Sequence, residues 1–228
     1  MNFEEMQRKF GSTMSPAILN DQKKLFEKLN EIQDLIQVVF KYKGKYTVEE
    51  NPAEWLSLAY FNKLNYTLVS LQNITILIDE FFSWLILKYL YEFYIKLKYI
   101  SSTNKDSEFS DRLKSYLSSG ERDNFKTKVE ELKKLEKLEE SDQLLLMLIA
   151  NHKEMYQRIN SVAHPNVESL NIHKVSHTDE DRFRGLNLNI QFCLYFIYGV
   201  IEIMTNDSRF NLVSKPDLSK IKSITGNV

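Results

Sequence analysis

An arginine and a histidine six residues apart, Arg158 and His164, carry the side chains of this 228-residue chain best suited to acid–base chemistry on a charged substrate. Pro165 lacks an N–H and restricts the residue before it, so the helix carrying Arg158 is predicted to end near Ala163. Unpaired carbonyls at a helix C-terminus favour a protonated imidazole, so His164 is expected to exchange a proton near neutral pH. The Arg158 guanidinium adds a fixed charge and planar donors that match a phosphate. The pair therefore suits chemistry on a phosphodiester.

Helix geometry limits how this pair can act. Six residues turn an ideal helix through about 600°, so Arg158 and His164 would point roughly 120° apart on one straight helix. They converge only if the last turn unwinds, or if two copies of the chain meet across an interface. A structural interpretation also stays open, in which the arginine pairs with a local carboxylate and the histidine caps carbonyl groups before a turn.

Composition limits the classes of protein that fit. The chain has 43% hydrophobic residues but only 6 Gly and 4 Pro, which favours few turns and long regular elements. Its formal net charge of −1 gives no overall field that attracts nucleic acid, so an RNA contact needs a local basic patch. The single cysteine, Cys193, excludes an internal disulfide and favours a reducing, cytoplasmic setting.

Membrane insertion is not expected. The first residues lack the apolar core of a signal peptide. The two most apolar regions are residues 68–100 and residues 189–204. Several charged residues interrupt the first, and the second is too short to span a membrane. Neither supplies the ~18 uninterrupted apolar residues of a spanning helix. We interpret both as buried helices of a soluble protein without a membrane partner.

Helix start signals and apolar spacing predict an all-α fold, an up-down helical bundle of four to five long helices. Ser15-Pro16 and Asn51-Pro52 each combine a capping side chain with a proline at the first helical position. Residues 53–100 contain neither glycine nor proline. As one helix they would exceed about 70 Å, so we expect a break between Asn65 and Asn73, where helix propensity is weakest.

Apolar stripes mark the faces that these helices bury. The first predicted helix has Leu25, Leu29, Ile32, Ile36 and Val39, and it is expected to stop at Gly44. The second half of residues 53–100 is apolar on nearly every side, which is typical of a central or subunit-sharing helix. A final long helix over residues 180–205 has Phe183, Leu186, Ile190, Cys193, Ile197, Ile201 and Met204 on one face.

The predicted domain organisation is simple. A loose N-terminal arm covers residues 1–14, a single helical domain covers residues 15–205, and a tail with a short helix covers residues 206–228. Residues 121–140 are rich in Lys and Glu and carry a stripe at Phe125, Val129, Leu132, Leu135 and Leu138. The charges of this segment are interpreted as a solvated helix face rather than a partner surface.

Two segments together resemble the HEPN superfamily of helical bundles. The first, L-I-L-K-Y-L-Y-E-F-Y-I-K-L-K-Y-I at residues 85–100, carries Lys88 four positions before Glu92. The second, Y-Q-R-I-N-S-V-A-H-P at residues 156–165, is a tyrosine-containing helix that ends in a histidine, with Tyr156, Arg158 and His164. Five residues separate the arginine from the histidine, and the superfamily signature has four to six. The resemblance covers roughly residues 60–205.

This resemblance implies an HEPN-like fold and a metal-independent RNA endonuclease that needs no cofactor. Such proteins are common in toxin–antitoxin and other defence systems, so an antitoxin or regulatory protein is an implied partner. They usually form homodimers that bring two Arg/His pairs into one cleft. Arg158 would neutralise charge on the phosphate, His164 would act as base or acid, and Glu92 would orient one of them.

One departure from the family keeps a second function open. Active members often carry a polar residue directly after the arginine, whereas this chain has Ile159 there, followed by Asn160 and Ser161. We include Asn160 and Ser161, with Lys88 and Tyr156, as candidate supporting residues. The alternative function is a non-catalytic HEPN-like binding or dimerisation module. In that case Lys88 and Glu92 form an ion pair one helical turn apart.

A metal site is a further alternative, because the four histidines His152, His164, His173 and His177 fall within 26 residues. His173 and His177 have the i, i+4 spacing of helical metal ligands. They lie in a predicted polar loop over residues 164–181, however, and complete no known zinc motif, so no metal is expected. His152 lies on an apolar stripe and is interpreted as a core residue.

Overall fold

A computed structural model describes residues 2–10, 14–42, 50–119, 129, 131, 132, 157 and 178–226 of the chain. Within these ranges the chain is helical and has no strand, so the all-α class is confirmed for this part. The helices are α1 (Phe3–Phe10), α2 (Pro16–Ile36), α3 (Pro52–Leu77), α4 (Glu80–Ser101), α5 (Asp106–Ser119), α6 (Asp179–Asn206) and α7 (Leu218–Thr225). Short 3-10 helices occupy Gln37–Tyr42 and Ser208–Phe210.

Both predicted helix starts are confirmed. The Ser15 side chain accepts a hydrogen bond from the Ile18 N–H at 3.4 Å, and the Asn51 side chain accepts one from the Glu54 N–H at 3.3 Å. The five residues of the predicted α2 stripe are at most 4% exposed. The α-helix changes to a 3-10 helix at Gln37, earlier than expected, and Gly44 lies outside the described residues.

Polar side chains set the pairing of α2 with α3. The Gln22 Nε2 donates to the Thr75 carbonyl at 2.8 Å, and the Nε2 atoms of Gln33 and Gln37 each donate to the Asn65 Oδ1 at 2.9 Å. The partners move back along α3 as the donors move forward along α2, so the two helices are antiparallel. Asn65, where a break was expected, is instead fixed in α3 by these contacts.

The break in residues 53–100 lies at Ile78 and Asp79, so the predicted position between Asn65 and Asn73 is wrong. The Asp79 side chain accepts a hydrogen bond from the Phe82 N–H at 3.0 Å and caps α4. Ile78 takes a left-handed conformation with φ 49°, which is costly for a β-branched residue. Its side chain is only 8% exposed, and this burial offsets the cost.

Helix α4 packs against both α3 and α6. The Tyr60 ring of α3 stacks on the Phe93 ring of α4, and since only two residues join these helices, they form an antiparallel hairpin. Ser83 bonds to Asn189 and the Tyr91 ring contacts the Phe196 ring, so α4 and α6 run parallel. Helix α6 therefore begins at the same end of the molecule as α4. The aromatic-rich helix was expected to be central or shared between subunits, and it packs here against α3, α5 and α6.

Helix α6 starts with a capping box, in which Thr178 and Asp181 bond each other's side chain and backbone. Residues 179–181, predicted to end a loop, are therefore helical. All seven residues of the predicted α6 stripe are at most 6% exposed. By length and composition alone, Glu180–Asn206 meets the criteria for a membrane span, but 61% of its apolar stretch is buried within the protein. That burial is typical of the core helix of a soluble protein.

Both ends of the described chain pack more closely than the sequence indicates. The expectation of a loose arm at residues 1–14 is replaced by helix α1, whose Phe3 side chain is 6% exposed and contacts the Phe26 ring. The predicted short helix of the tail is confirmed as α7. Phe210 and Ile221 of the tail are fully buried and belong to the main core.

Two glycines mark the close approach of α6 to α4. A Cβ atom on Gly199 would lie 2.5 Å from the Tyr94 Cε2 atom, and a Cβ on Gly185 would meet the Glu80 carboxylate. The Tyr94 ring is 3% exposed and cannot move, whereas the end of the Glu80 side chain can rotate away. We expect Gly199→Ala to destabilise the fold by about 1–3 kcal/mol. Gly185→Ala should be near neutral. Its gain of about 1 kcal/mol in helix propensity offsets the cost of moving the end of the Glu80 side chain.

Urea unfolding of the two variants measures this difference. The midpoint of Gly199→Ala should fall well below that of Gly185→Ala. Equal midpoints would show that α4 and α6 do not approach as closely as described.

Candidate functional site

An open cleft of about 560 Å³ lies where α3, α4 and α5 meet. Its volume falls in the range of about 300–1,000 Å³ that is common for small-molecule sites. The lining residues are Trp55, Leu56, Ala59, Tyr60 and Lys63 of α3, Tyr89, Glu92, Phe93 and Lys96 of α4, and Tyr116 and Leu117 of α5. On each long helix these residues recur at spacings of three and four, so each helix presents one continuous face to the cleft.

Three stacked rings form one wall of this cleft. Phe93 lies between Tyr60, at a centroid distance of 3.8 Å, and Tyr89, at 5.6 Å. The Tyr60 and Tyr116 hydroxyls share a hydrogen bond of 2.8 Å, which ties α3 to α5. Tyr60 and Phe93 are at most 4% exposed, whereas Tyr89 is 40% exposed and Trp55 is 37% exposed. Two aromatic rings therefore remain partly accessible in an otherwise packed wall.

The charged groups of the cleft are one carboxylate and two ammonium groups. Glu92 and Lys96 are half-buried and Lys63 is exposed. Among the described residues, no salt bridge involves Lys63 or Lys96. Within a chain of net charge −1, this cleft is a local site of positive charge.

The phenol of Tyr89 is strongly held in its neutral form. Burial first, and the neighbouring Tyr116 second, raise the pKa of Tyr89 to about 12. An unfolded tyrosine loses its proton near pH ~10, so the folded protein binds this proton more tightly. The contribution of this phenol to the free energy of unfolding is fully present below about pH 10. It is lost as the pH rises toward about 12. At neutral pH the hydroxyl is therefore a hydrogen-bond donor.

Alkaline unfolding tests this pKa. Between about pH 10 and pH 12, the midpoint of urea unfolding should fall less steeply in Tyr89→Phe than in the wild type. A remaining fall is expected, because burial also raises the pKa of Tyr99 and of Tyr198 to about 12. A variant whose midpoint falls as steeply as that of the wild type would contradict the assignment.

The structure brings one of the predicted supporting residues to this cleft. Glu92 is part of the lining, while Lys88, one turn earlier on α4, is half-buried and does not line it. Of these two residues, Glu92 alone can contact a ligand in the cleft. Glu92 lines a cavity large enough for a small ligand.

The two predicted catalytic residues, Arg158 and His164, lie outside the described residues, and so do Tyr156, Asn160 and Ser161. Gln157 is the described residue of this segment, and it is helical and exposed. The convergence of Arg158 with His164 therefore stays a prediction.

The metal-site alternative falls largely outside the described part of the chain as well, because His152, His164, His173 and His177 are not described. In the ranges that are described, no group of three or more His, Cys, Asp or Glu residues is arranged to hold a metal. Cys193 is fully buried, and burial raises the pKa of its thiol. This disfavours the reactive thiolate and agrees with an inert core residue.

Several cleft residues were not identified from the sequence. Trp55, Tyr60 and Lys63 share one face of α3 with Ala59, a pattern that is visible as i, i+4 spacing. That this face meets Glu92 is a consequence of the α3–α4 hairpin. Tyr116 gave no sequence signal, because it reaches the cleft only through the packing of α5.

No family model, curated protein sequence or solved structure matches this chain. Its functional assignment therefore depends on its own residues and their geometry.

Proposed function

We propose that this chain is a metal-independent RNA endonuclease of the HEPN type, acting in the cytoplasm as a homodimer. The observation that carries the proposal is the position of Glu92. The residue that the resemblance pairs with Arg158 and His164 lines an open cleft that also holds Lys63 and Lys96. The helices of the described residues, with the aromatic-rich helix α4 among them, agree with the HEPN-like bundle that we propose.

In the proposed reaction, the RNA supplies its own nucleophile. His164 accepts the proton of a 2′-OH, whose oxygen attacks the adjacent phosphorus atom. The bond from phosphorus to the 5′-oxygen breaks, and that oxygen takes a proton from the second histidine of the dimer. The products are a 2′,3′-cyclic phosphate and a 5′-OH. Arg158 stabilises the negative charge that grows on the phosphoryl oxygens.

Glu92 is proposed as a positioning residue. A half-buried carboxylate can hold a guanidinium by paired hydrogen bonds or fix the tautomer of an imidazole. The neighbouring lysines then attract the RNA backbone to the same side of α4. Lys88, Tyr156, Asn160 and Ser161 remain candidate supporting residues.

The test is cleavage of a labelled single-stranded RNA by the purified protein with and without a chelator. Cleavage should persist in the chelator and leave cyclic phosphate and 5′-hydroxyl ends. Cleavage that stops in chelator, or leaves 5′-phosphates, would overturn the proposal. Growth of cells that express the wild type, compared with cells that express His164→Ala, reports whether the protein acts as a toxin or defence component. Co-expression of an antitoxin or regulatory protein shows whether such a partner neutralises it.

A non-catalytic binding or dimerisation module is the second candidate, and one observation favours it. Outside the cleft, four large side chains stay exposed on α3 and α4: Tyr66 at 65%, Val69 at 37%, Leu77 at 54% and Phe82 at 53%. Exposed apolar groups of this size are common at subunit interfaces. A tight dimer by sedimentation that neither binds nor cleaves RNA would favour this candidate over the nuclease.

A further inference from the structure

We propose that the cleft between α3, α4 and α5 binds single-stranded RNA by stacking bases on Trp55 and Tyr89 and holding phosphates with Lys63 and Lys96. This inference deepens the proposed nuclease function and rests on it for the choice of RNA. It adds binding residues to the cleft in which Glu92 is proposed to position the cleaving pair, Arg158 and His164.

The accessible rings are the first reason. Tyr89 ends the stack that Tyr60 and Phe93 begin, so a base placed on its exposed part extends an arrangement already present. The buried members of this stack fix the orientation of Tyr89 before any ligand arrives. A ring fixed in this way loses little conformational freedom on binding, and base–aromatic stacking tolerates any base.

The register of the hairpin is the second reason. Tyr60 lies level with Phe93, and the helices are antiparallel, so Lys63 lies near the level of Tyr89 and Lys96 nearer that of Trp55. Each end of the cleft thus combines one aromatic ring with one ammonium group. The two ends are about 10–12 Å apart at 1.5 Å of rise per residue.

The repeated pairing of an aromatic ring with an ammonium group indicates which ligand fits the cleft. One nucleotide offers one base and one phosphate, and it satisfies one end only. A short single strand can place a base and a phosphate at both ends. An uncharged apolar ligand would leave both lysines without a function.

Fluorescence anisotropy with a labelled single-stranded RNA octamer tests the assignment, on full-length protein carrying His164→Ala to prevent cleavage. Trp55→Leu and Tyr89→Leu should each weaken binding by about tenfold, whereas Tyr89→Phe should stay within about twofold because it keeps the ring. Lys63→Gln and Lys96→Gln should each lower the slope of log affinity against log salt by about 0.7.

Matched controls lie outside the cleft. Leu188→Ala removes an exposed apolar side chain of α6, and Lys28→Gln removes an exposed charge of α2, and both should bind as the parent does. Unchanged urea midpoints confirm that the cleft variants fold. Cleft variants that bind like the controls would overturn the inference, and so would AMP that competes as strongly as an unlabelled octamer.

The two proposals fail differently. If the wild type cleaves RNA and the cleft variants cleave it equally well, the cleft assignment is wrong and the nuclease stands. If octamer binding needs Trp55 and Tyr89 while no cleavage occurs, the nuclease is wrong and the cleft stands.

Discussion

Replacing His164 with alanine should lower the rate of RNA cleavage by at least about 100-fold while leaving RNA binding intact, since a positioned general acid or base contributes about 10²–10⁴. In the proposed reaction the imidazole transfers protons at the 2′-OH and at the leaving oxygen, and water would replace it poorly. Arg158→Ala should give a comparable loss, because it removes the charge that stabilises the phosphoryl oxygens. Initial rates of cleavage of a labelled RNA measure both effects.

The histidines of the neighbouring sequence supply the control. His173→Ala changes the same residue type without touching the proposed pair, so it should cleave at the parent rate. Loss of activity in both His164→Ala and His173→Ala, together with inhibition by a chelator, would favour a metal cluster. Full activity in His164→Ala would remove the basis of the nuclease proposal.

Replacing Arg209 with alanine should destabilise the fold by about 2–4 kcal/mol. Its guanidinium donates to the Ser101 carbonyl at 3.1 Å and the Thr103 carbonyl at 2.7 Å, at the C-terminus of α4. It also makes paired bonds of 2.7 and 2.8 Å to Asp207 and lies 4.4 Å from the centroid of Phe109. The loss leaves these acceptors without their donor.

The large loss of stability expected for Arg209→Ala follows from the burial of Arg209 and Asp207. Arg209 and Asp207 are 20% and 15% exposed, so water cannot fully replace the missing bonds. Arg184 and Glu180 form an exposed pair one helical turn apart on α6, at 73% and 63%. Arg184→Ala should therefore cost at most about 0.5 kcal/mol. Urea unfolding compares the two, and equal losses would contradict the structural role of Arg209.

Local signals in the sequence were sufficient for most of the secondary structure. Ser15 and Asn51 act as helix caps because their side chains meet N–H groups three residues later. The apolar stripe of α6 is buried as predicted because its spacing places those residues on one face. These features depend on neighbours within one or two turns of helix, which the sequence displays directly.

Long-range contacts decided the features that were predicted wrongly. Asn65 lies in a stretch of weak helix propensity, but contacts with Gln33 of α2 and with Gln37 of the following 3-10 helix hold it in α3. The N-terminal helix α1 is short, and it is held against the core by Phe3 and Phe26, which are 23 positions apart. No local pattern reports a contact of that kind.

The sequence alone determined the all-α class of the described residues, the starts of α2 and α3 and the Arg158–His164 hypothesis, because helix caps, apolar periodicity and residue spacing are local properties. Only the tertiary structure revealed the cleft. Trp55, Glu92 and Tyr116 come together because α3, α4 and α5 must bury their apolar faces at the same time, and that common burial, rather than any single segment, fixes which polar side chains share one cavity.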